Sequence, residues 1–208
     1  MAGDVEAALG TFAKAFAYVE TAGFLAEVEW QSSRHFSEFT ESDLLREAAW
    51  VILCGGFREA VVRRIFDHIS LSFFDWESSA AIVASAAVCH SVAMGSFRNS
   101  RKLNAIVMVA DRIDKIGFET LKSRIIDDPL QELRMLPHIG PITSWHLAKN
   151  LGFDAAKPDR HLIQLCDRLG FDDVQELCGS VAAATGYAIC VVDIILWRYL
   201  ARGGGLKV

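Results

Sequence analysis

Apolar residues return at intervals of three and four along almost the whole chain, and strict alternation is nearly missing. Leu44, Ala48, Val51 and Ile52 share one helical face, and Leu103, Ile106, Val107, Ala110 and Ile113 share another. A strand turns every second side chain to one face, so a sheet would leave these residues on both sides; only helices packed on helices bury them together. The interruptions are short: "CGG" at 54–56, "MGSFRNS" at 94–100, "DDP" at 127–129, "PHIGP" at 137–141, "DAAKPD" at 154–159 and "ATG" at 184–186. Between them fit about eight to ten helices of ordinary length. Thr40 or Ser42 ahead of "DLLREAAW", and Ser100 ahead of "RKLN", are the expected N-caps. The expected fold class is all-α, and 208 residues that are 52% hydrophobic suffice for one or two helical lobes with a proper core.

A net charge of -5 argues against a general nucleic-acid glue but leaves room for a local basic face. The five cysteines, Cys54, Cys89, Cys166, Cys178 and Cys190, are odd in number and scattered among apolar neighbours, without the spacing that holds zinc or an iron-sulfur cluster. No two histidines have metal-ligand spacing either, so no metal and no cofactor is expected. The start "MAGDVEAALG" lacks a signal-peptide layout, and no apolar run reaches membrane-spanning length without a charge. A soluble, cytoplasmic protein with no membrane partner is the expectation.

The stretch "ELRMLPHIGPITSWHLAKNLGF" reads as a helix-hairpin-helix. A first helix stops at Pro137, His138 to Gly140 turn the chain, and a second helix runs from Thr143 to Leu151 with Ile142, Leu147 and Leu151 facing inward. Such a turn leaves backbone N–H groups pointing outward at a helix start, where the dipole favours an anion, so Pro137, His138, Ile139, Gly140, Ile142 and Thr143 can hold a phosphate without reading sequence. An ordinary connection containing Pro and Gly has the same letters. Next comes "KPDRHLIQLCDRLGF", where Asp159 follows a proline and precedes an amphipathic helix bearing Leu162, Ile163, Leu165, Cys166 and Leu169. An aspartate there also serves as a plain N-cap.

Hairpin and aspartate together resemble the helix-hairpin-helix DNA glycosylase superfamily, which contains endonuclease III, the adenine glycosylases and the alkyl-purine glycosylases. "EAAWVILCGGFREAVVRRIF" is similar to the family's first barrel helix, turn and second helix; "FRNSRKLNAIVMVADRI" to a later helix start; and "CVVDIILWRYLA" to its closing helix. In order, these matches cover residues 41–200. The resemblance implies a two-lobed all-α fold with the active site in the interlobe cleft. Residues 41–145 would form the central bundle ending in the hairpin, and 1–40 with 146–208 the second lobe. It also implies a monomer that acts on double-stranded DNA containing a damaged, mispaired or modified base.

Under this resemblance Asp159 is the catalytic residue. Cleaving an N-glycosidic bond builds positive charge on the sugar, and a carboxylate stabilises that charge and orients the attacking water. The departures from the family pattern matter as much. Strand-cutting relatives keep a lysine two residues after the hairpin's second glycine; here Ile142 stands there, which implies a monofunctional hydrolase leaving an abasic site. The alternatives are a glycosylase/lyase using Lys149 or Lys157, and a non-catalytic helix-hairpin-helix DNA-binding module. His138 replaces the hairpin's first glycine and puts the turn geometry in question. After the closing helix the chain reads "RGGGLKV", without the cysteines of the iron-sulfur relatives. Where some relatives place a glutamine wedge, this chain has Gly56 followed by Phe57 and Arg58, so Phe57 either unstacks the duplex with Arg58 on the opposite strand or packs in the core.

The basic residues near these motifs, Arg98, Arg101, Lys102, Lys149, Lys157, Arg160 and His161, are candidates for a phosphate track. Arg63 and Arg64 join it or lie outside. A flipped base is held between aromatic faces and read by a few polar groups. Trp50, Phe57, Trp145 and Trp197 are the aromatic candidates. Asp193, a lone carboxylate inside "CVVDIILW", either assists base recognition or pairs structurally. His90 is a polar core or contact residue.

Overall fold

The computed structural model describes residues 3–203 and is all-helical, with thirteen α-helices and no strand among the described residues. The chain divides into two compact units, residues 37–151 and residues 1–36 with 152–208. Each unit closes around one largely buried helix.

In residues 37–151 that helix is the third. After α1 (Val5–Thr21) and α2 (Leu25–Ser32), which belong to the other unit, come α3 (Glu41–Cys54), α4 (Glu59–Ser72), α5 (Ser79–Ala84), α6 (Ala86–Ser96), α7 (Ser100–Ile116), α8 (Phe118–Asp127), α9 (Pro129–Arg134) and α10 (Pro141–Asn150). Thr40 starts α3 with a reciprocal cap: its Oγ1 accepts from Asp43 N at 3.2 Å while Asp43 accepts from Thr40 N at 2.9 Å. Leu44, Leu45, Ala48, Val51, Ile52 and Leu53 are then buried against α4, α7 and α10. Burial on more than one side explains why α3 is nearly continuous in apolar residues rather than striped. Its one deeply placed carboxylate, Glu47, accepts from Asn150 Nδ2 at 2.8 Å. The opposite end of the pattern is α7, whose buried set of Leu103, Ala105, Ile106, Val109, Ala110 and Ile113 leaves a polar outer face. Asn99, not Ser100, caps it, accepting from Lys102 N at 3.2 Å.

The chain makes more helices than the breaks in the sequence suggest, because several helices part at a single residue. Ser85 alone separates α5 from α6 and Gly117 alone separates α7 from α8. A tighter break follows α4, where Phe74, Asp75 and Trp76 take φ of 55°, 51° and 66° in succession. A left-handed backbone costs about 1–2 kcal/mol per non-glycine residue. The turn persists because it delivers Trp76 into the core, stacked at 5.4 Å on Phe73 with Nε1 donating to Ser70 Oγ at 2.9 Å.

Residues 1–36 and 152–203 of the other unit carry α1, α2, α11 (Arg160–Leu169), α12 (Val174–Thr185) and α13 (Ile189–Ala201). The helix α13 is apolar nearly all round, and α1, α2, α11 and α12 all pack on it. Asp4 N donates to Leu169 O at 2.8 Å, tying the start of α1 to the end of α11. Arg198 on α13 forms a two-pronged ion pair with Glu27 on α2 and lies over the Phe24 ring at 4.6 Å. Gly152 cannot be replaced at the point where this unit's second segment begins: its φ is +101°, and a Cβ there would lie 2.7 Å from Phe36 N and 2.8 Å from His35 C. No single helix among the described residues is long and apolar enough to cross a membrane.

Cys166 on α11 is 3% exposed, and burial, helped by Asp173, Asp167 and Glu176, pushes its thiol from the ordinary 9.0 up to about 11. Between those values the unfolded chain gives up this proton while the folded protein keeps it. Stability present below pH 9 is therefore lost as pH rises toward 11, by about 1.4 kcal/mol for each unit of difference. Thermal melts from pH 8 to 11 are expected to fall less steeply for Cys166→Ala than for the wild type, with the buried Cys89 thiol, also raised, contributing equally to both.

Candidate functional site

Within residues 37–151 the hairpin is built from its anchors outward. Leu136, Ile139 and Leu147 are buried at 2%, 5% and 0% exposure and fix the two helices. Ser144 links them, its Oγ accepting from Arg134 Nε on α9 at 3.3 Å and donating to Pro141 O at 2.9 Å. His138 takes a φ of 61°, so the turn keeps the left-handed residue that a glycine would ordinarily supply. Gly140 is extended, Pro141 opens α10, and Thr143 Oγ1 reaches back to accept from Gly140 N at 2.6 Å. The amides of Ile142 and Thr143 donate to no group among the described residues. Those two free donors, at a helix start with an extended residue before it, are what an anion would meet.

Ile142 does not face inward as its spacing suggests; it is 49% exposed. The buried face of α10 starts at Ser144 and continues through Leu147, Ala148, Lys149 and Asn150. Lys149 is therefore 4% exposed and is not on the phosphate-facing surface where the sequence put it. Lys102 is likewise buried rather than on the phosphate track expected for it. Its side chain is 8% exposed and its ammonium donates to the carbonyls of Ile52, of Leu53 at 3.2 Å and of Gly55 at 2.6 Å, at the end of α3. These carbonyls have no partner inside the helix, so the lysine acts as a C-terminal cap rather than a DNA contact. Burial lowers its pKa below the ordinary lysine value, and the Cys54 thiol beside it acts in the opposite sense.

Above that cap sits the turn between α3 and α4. Gly56 is left-handed at φ 78°, Phe57 N donates to Cys54 O at 3.1 Å, and the Phe57 ring is 42% exposed. One edge of the ring rests on Phe97 at 5.1 Å, and the Lys102 ammonium lies 5.4 Å from its centroid. Phe57 is thus a projecting ring on a fastened base, not a core residue. Arg58, Arg98 and Arg101 are exposed in the same unit, whereas Arg63 pairs with Glu59 and lies 5.5 Å from the Trp50 ring centroid. Trp50 packs edge-on against Phe66 at 5.0 Å, and both Trp50 and Trp145 are half-buried. His90 Nε2 lies 3.0 Å from Ser100 Oγ.

In the unit 1–36 with 152–208, Asp159 is the N-cap of α11. Its Oδ1 accepts from His161 N at 2.9 Å and Leu162 N at 3.3 Å, while Oδ2 takes no hydrogen bond among the described residues. The carboxylate is half-buried, and Arg160 beside it is exposed. The irregular strap leading to it is held at three places. Asp154 Oδ1 accepts from Cys190 N at 2.9 Å, Gln175 bonds both backbone groups of Ala156, and Asp193 Oδ1 accepts from Lys157 N at 3.1 Å. Asp193 is 1% exposed, so of its two readings the structural one is realised. Ile163, expected on the apolar side of α11, is 41% exposed.

Asp154 and Gln175 carry no mark in the sequence. Nothing local marks them, since their backbone partners lie 36 and 19 residues away. No group of three or more His, Cys, Asp or Glu among the described residues is placed to hold a metal ion. No protein-family model matches the chain, and neither a curated protein nor a solved structure matches it.

The left-handed histidine gives a stability test. His138→Gly removes the Cβ conflict and is expected to raise stability by about 0.5–1 kcal/mol. His138→Val, β-branched at the same φ, should lower it by more than about 1 kcal/mol. Denaturant unfolding of the three proteins measures both.

Proposed function

We propose that this chain is a monofunctional DNA glycosylase of the two-lobed helix-hairpin-helix type, which removes a damaged, mispaired or modified base and leaves an abasic site. The observation that carries the reading is the Asp159 carboxylate: one oxygen is fixed by two backbone amides, the other is unpaired, and the strap beneath it is braced. A carboxylate held in one orientation with a free oxygen is suited to a reaction whose transition state is a cationic sugar. As the bond between C1′ and the base lengthens, the free oxygen offsets the charge on the sugar and accepts a hydrogen bond from the attacking water. The water's oxygen bonds to C1′, the bonding pair leaves with the base, and the proton released from the water is taken up by carboxylate or base.

The other parts fit the same reaction. The free amides of Ile142 and Thr143 suit a backbone phosphate, and the projecting Phe57 suits the gap left when a base leaves the stack. Exposed Arg58, Arg98, Arg101 and Arg160 supply positive charge to an otherwise acidic protein. The exposed side chain at position 142 is an isoleucine, and Lys149 is buried, so neither offers an amine to the sugar. With no amine at position 142 and Lys149 buried, alkylated purines or mispaired bases are the favoured substrates, and Lys157, half-buried beside Asp159, is the remaining lysine for the lyase alternative.

Asp159→Asn isolates the chemistry, because asparagine caps a helix as well as aspartate does. The variant should fold with wild-type stability and bind duplex DNA, yet release base about 100-fold or more slowly. The assay is incubation with a panel of duplexes carrying alkylated, deaminated, oxidised, mispaired and naturally modified bases, followed by alkali to cut at abasic sites. Wild-type rates in Asp159→Asn would show the mechanism to be wrong. DNA binding without base release by the wild type would make the protein a binding module.

A further inference from the structure

Ala155 and Ala156 are 2% and 0% exposed, yet they belong to no helix or strand. Buried backbone without regular structure must find its partners elsewhere. For Ala156 both come from one side chain: Gln175 Oε1 accepts from Ala156 N at 2.9 Å, and Gln175 Nε2 donates to Ala156 O at 2.5 Å. The carboxamide thus bonds the strap as a neighbouring strand would. Three residues further on stands Asp159, and little freedom lies between. Lys157 N is held by Asp193, Pro158 has its φ fixed by its ring, and Asp159 N closes a tight turn onto Lys157 O at 2.8 Å.

We infer that Gln175 is the positioning residue for Asp159, setting the height of the strap so that the carboxylate meets both the α11 amides and the sugar. This rests on the proposed glycosylase reading for its catalytic half; the brace itself rests on geometry alone. The chemistry of the side chain is specific. At neutral pH a carboxamide supplies an acceptor and a donor side by side without a charge. Ionised glutamate keeps the acceptor and repels the Ala156 carbonyl, asparagine is one methylene short, and leucine keeps the bulk and loses both bonds.

The test compares wild type, Gln175→Leu and Gln175→Glu by two measurements. In single-turnover base release, Gln175→Leu is expected to lower the rate roughly 10- to 100-fold while duplex affinity stays within about threefold, as misplacement of a catalytic group predicts. Gln175→Glu should be nearly as slow at neutral pH. Its rate relative to wild type should recover as pH falls and the glutamate takes up a proton, because the neutral acid again has both a donor and an acceptor. A merely structural role would not produce that pH-dependent rescue. Hydrogen exchange needs no activity: in Gln175→Leu the amides of Ala156, His161 and Leu162 should exchange at least tenfold faster while α1 and α13 keep their protection. Unchanged protection of His161 and Leu162 overturns the brace, whether or not the wild type releases base. Wild-type turnover in Gln175→Leu overturns the positioning role and leaves the proposed function standing. Absence of base release by the wild type overturns the proposed function, and exchange still decides the brace.

Discussion

One buried ammonium fixes the geometry of residues 37–151. Lys102 enters from the first turn of α7 and closes the end of α3, donating to carbonyls that the helix itself leaves unpaired. Burying a lone lysine would be costly, but oxygen atoms at the negative end of a helix dipole surround this one. Three consequences follow from the contact. α3 stops at Cys54, α7 is docked beside it at a fixed height, and the turn that carries Phe57 starts from a defined point. Truncating the lysine would leave the buried carbonyls of Ile52 and Leu53 without a donor, which is more damaging than losing a surface charge.

The other unit solves a similar problem by different means. Its strap before α11 has buried backbone with no helix to satisfy it, so Gln175 on α12 and Asp193 on α13 act as partners. Asp193 looks anomalous inside an apolar run until its acceptor role is seen: a carboxylate in the core is tolerated when it receives a backbone N–H that would otherwise go unpaired. In each unit a polar side chain from one helix completes the backbone of another segment, and the candidate functional residue stands on the completed segment. Phe57 and Asp159 are held in this way.

What could be read from the sequence was what depends on neighbours within a few residues. The periodicity of α3 and α7 follows from helical spacing, the Thr40 and Asp159 caps from local hydrogen-bonding geometry, and the Pro137 to Gly140 turn from the residues that can form it. The failures share a different cause. Lys102 and Lys149 look like surface cations because residue type reports charge, not location, and the carbonyls that Lys102 binds lie 47 to 50 residues earlier in the chain. Ile142 looks like a core residue because it is apolar, but it precedes the first buried position of α10. Gln175 carries no sequence signal at all. Its value lies in matching both polar groups of an alanine 19 residues away.

The two left-handed sites show how strain separates structural from functional residues. At Phe74 to Trp76 the cost of the backbone is offset locally, since it sinks an indole into the core. His138 is also left-handed, but its side chain is exposed and buries nothing. Glycine would form that turn more cheaply, so folding gives no reason for an imidazole there. The same holds for Ile142, half-exposed beside it, and for Phe57, projecting from its own turn. Each presents to solvent a surface that the fold positions. Two flank the free amides of the hairpin, and under the proposed function the anionic backbone that those amides suit would give all three side chains something to meet.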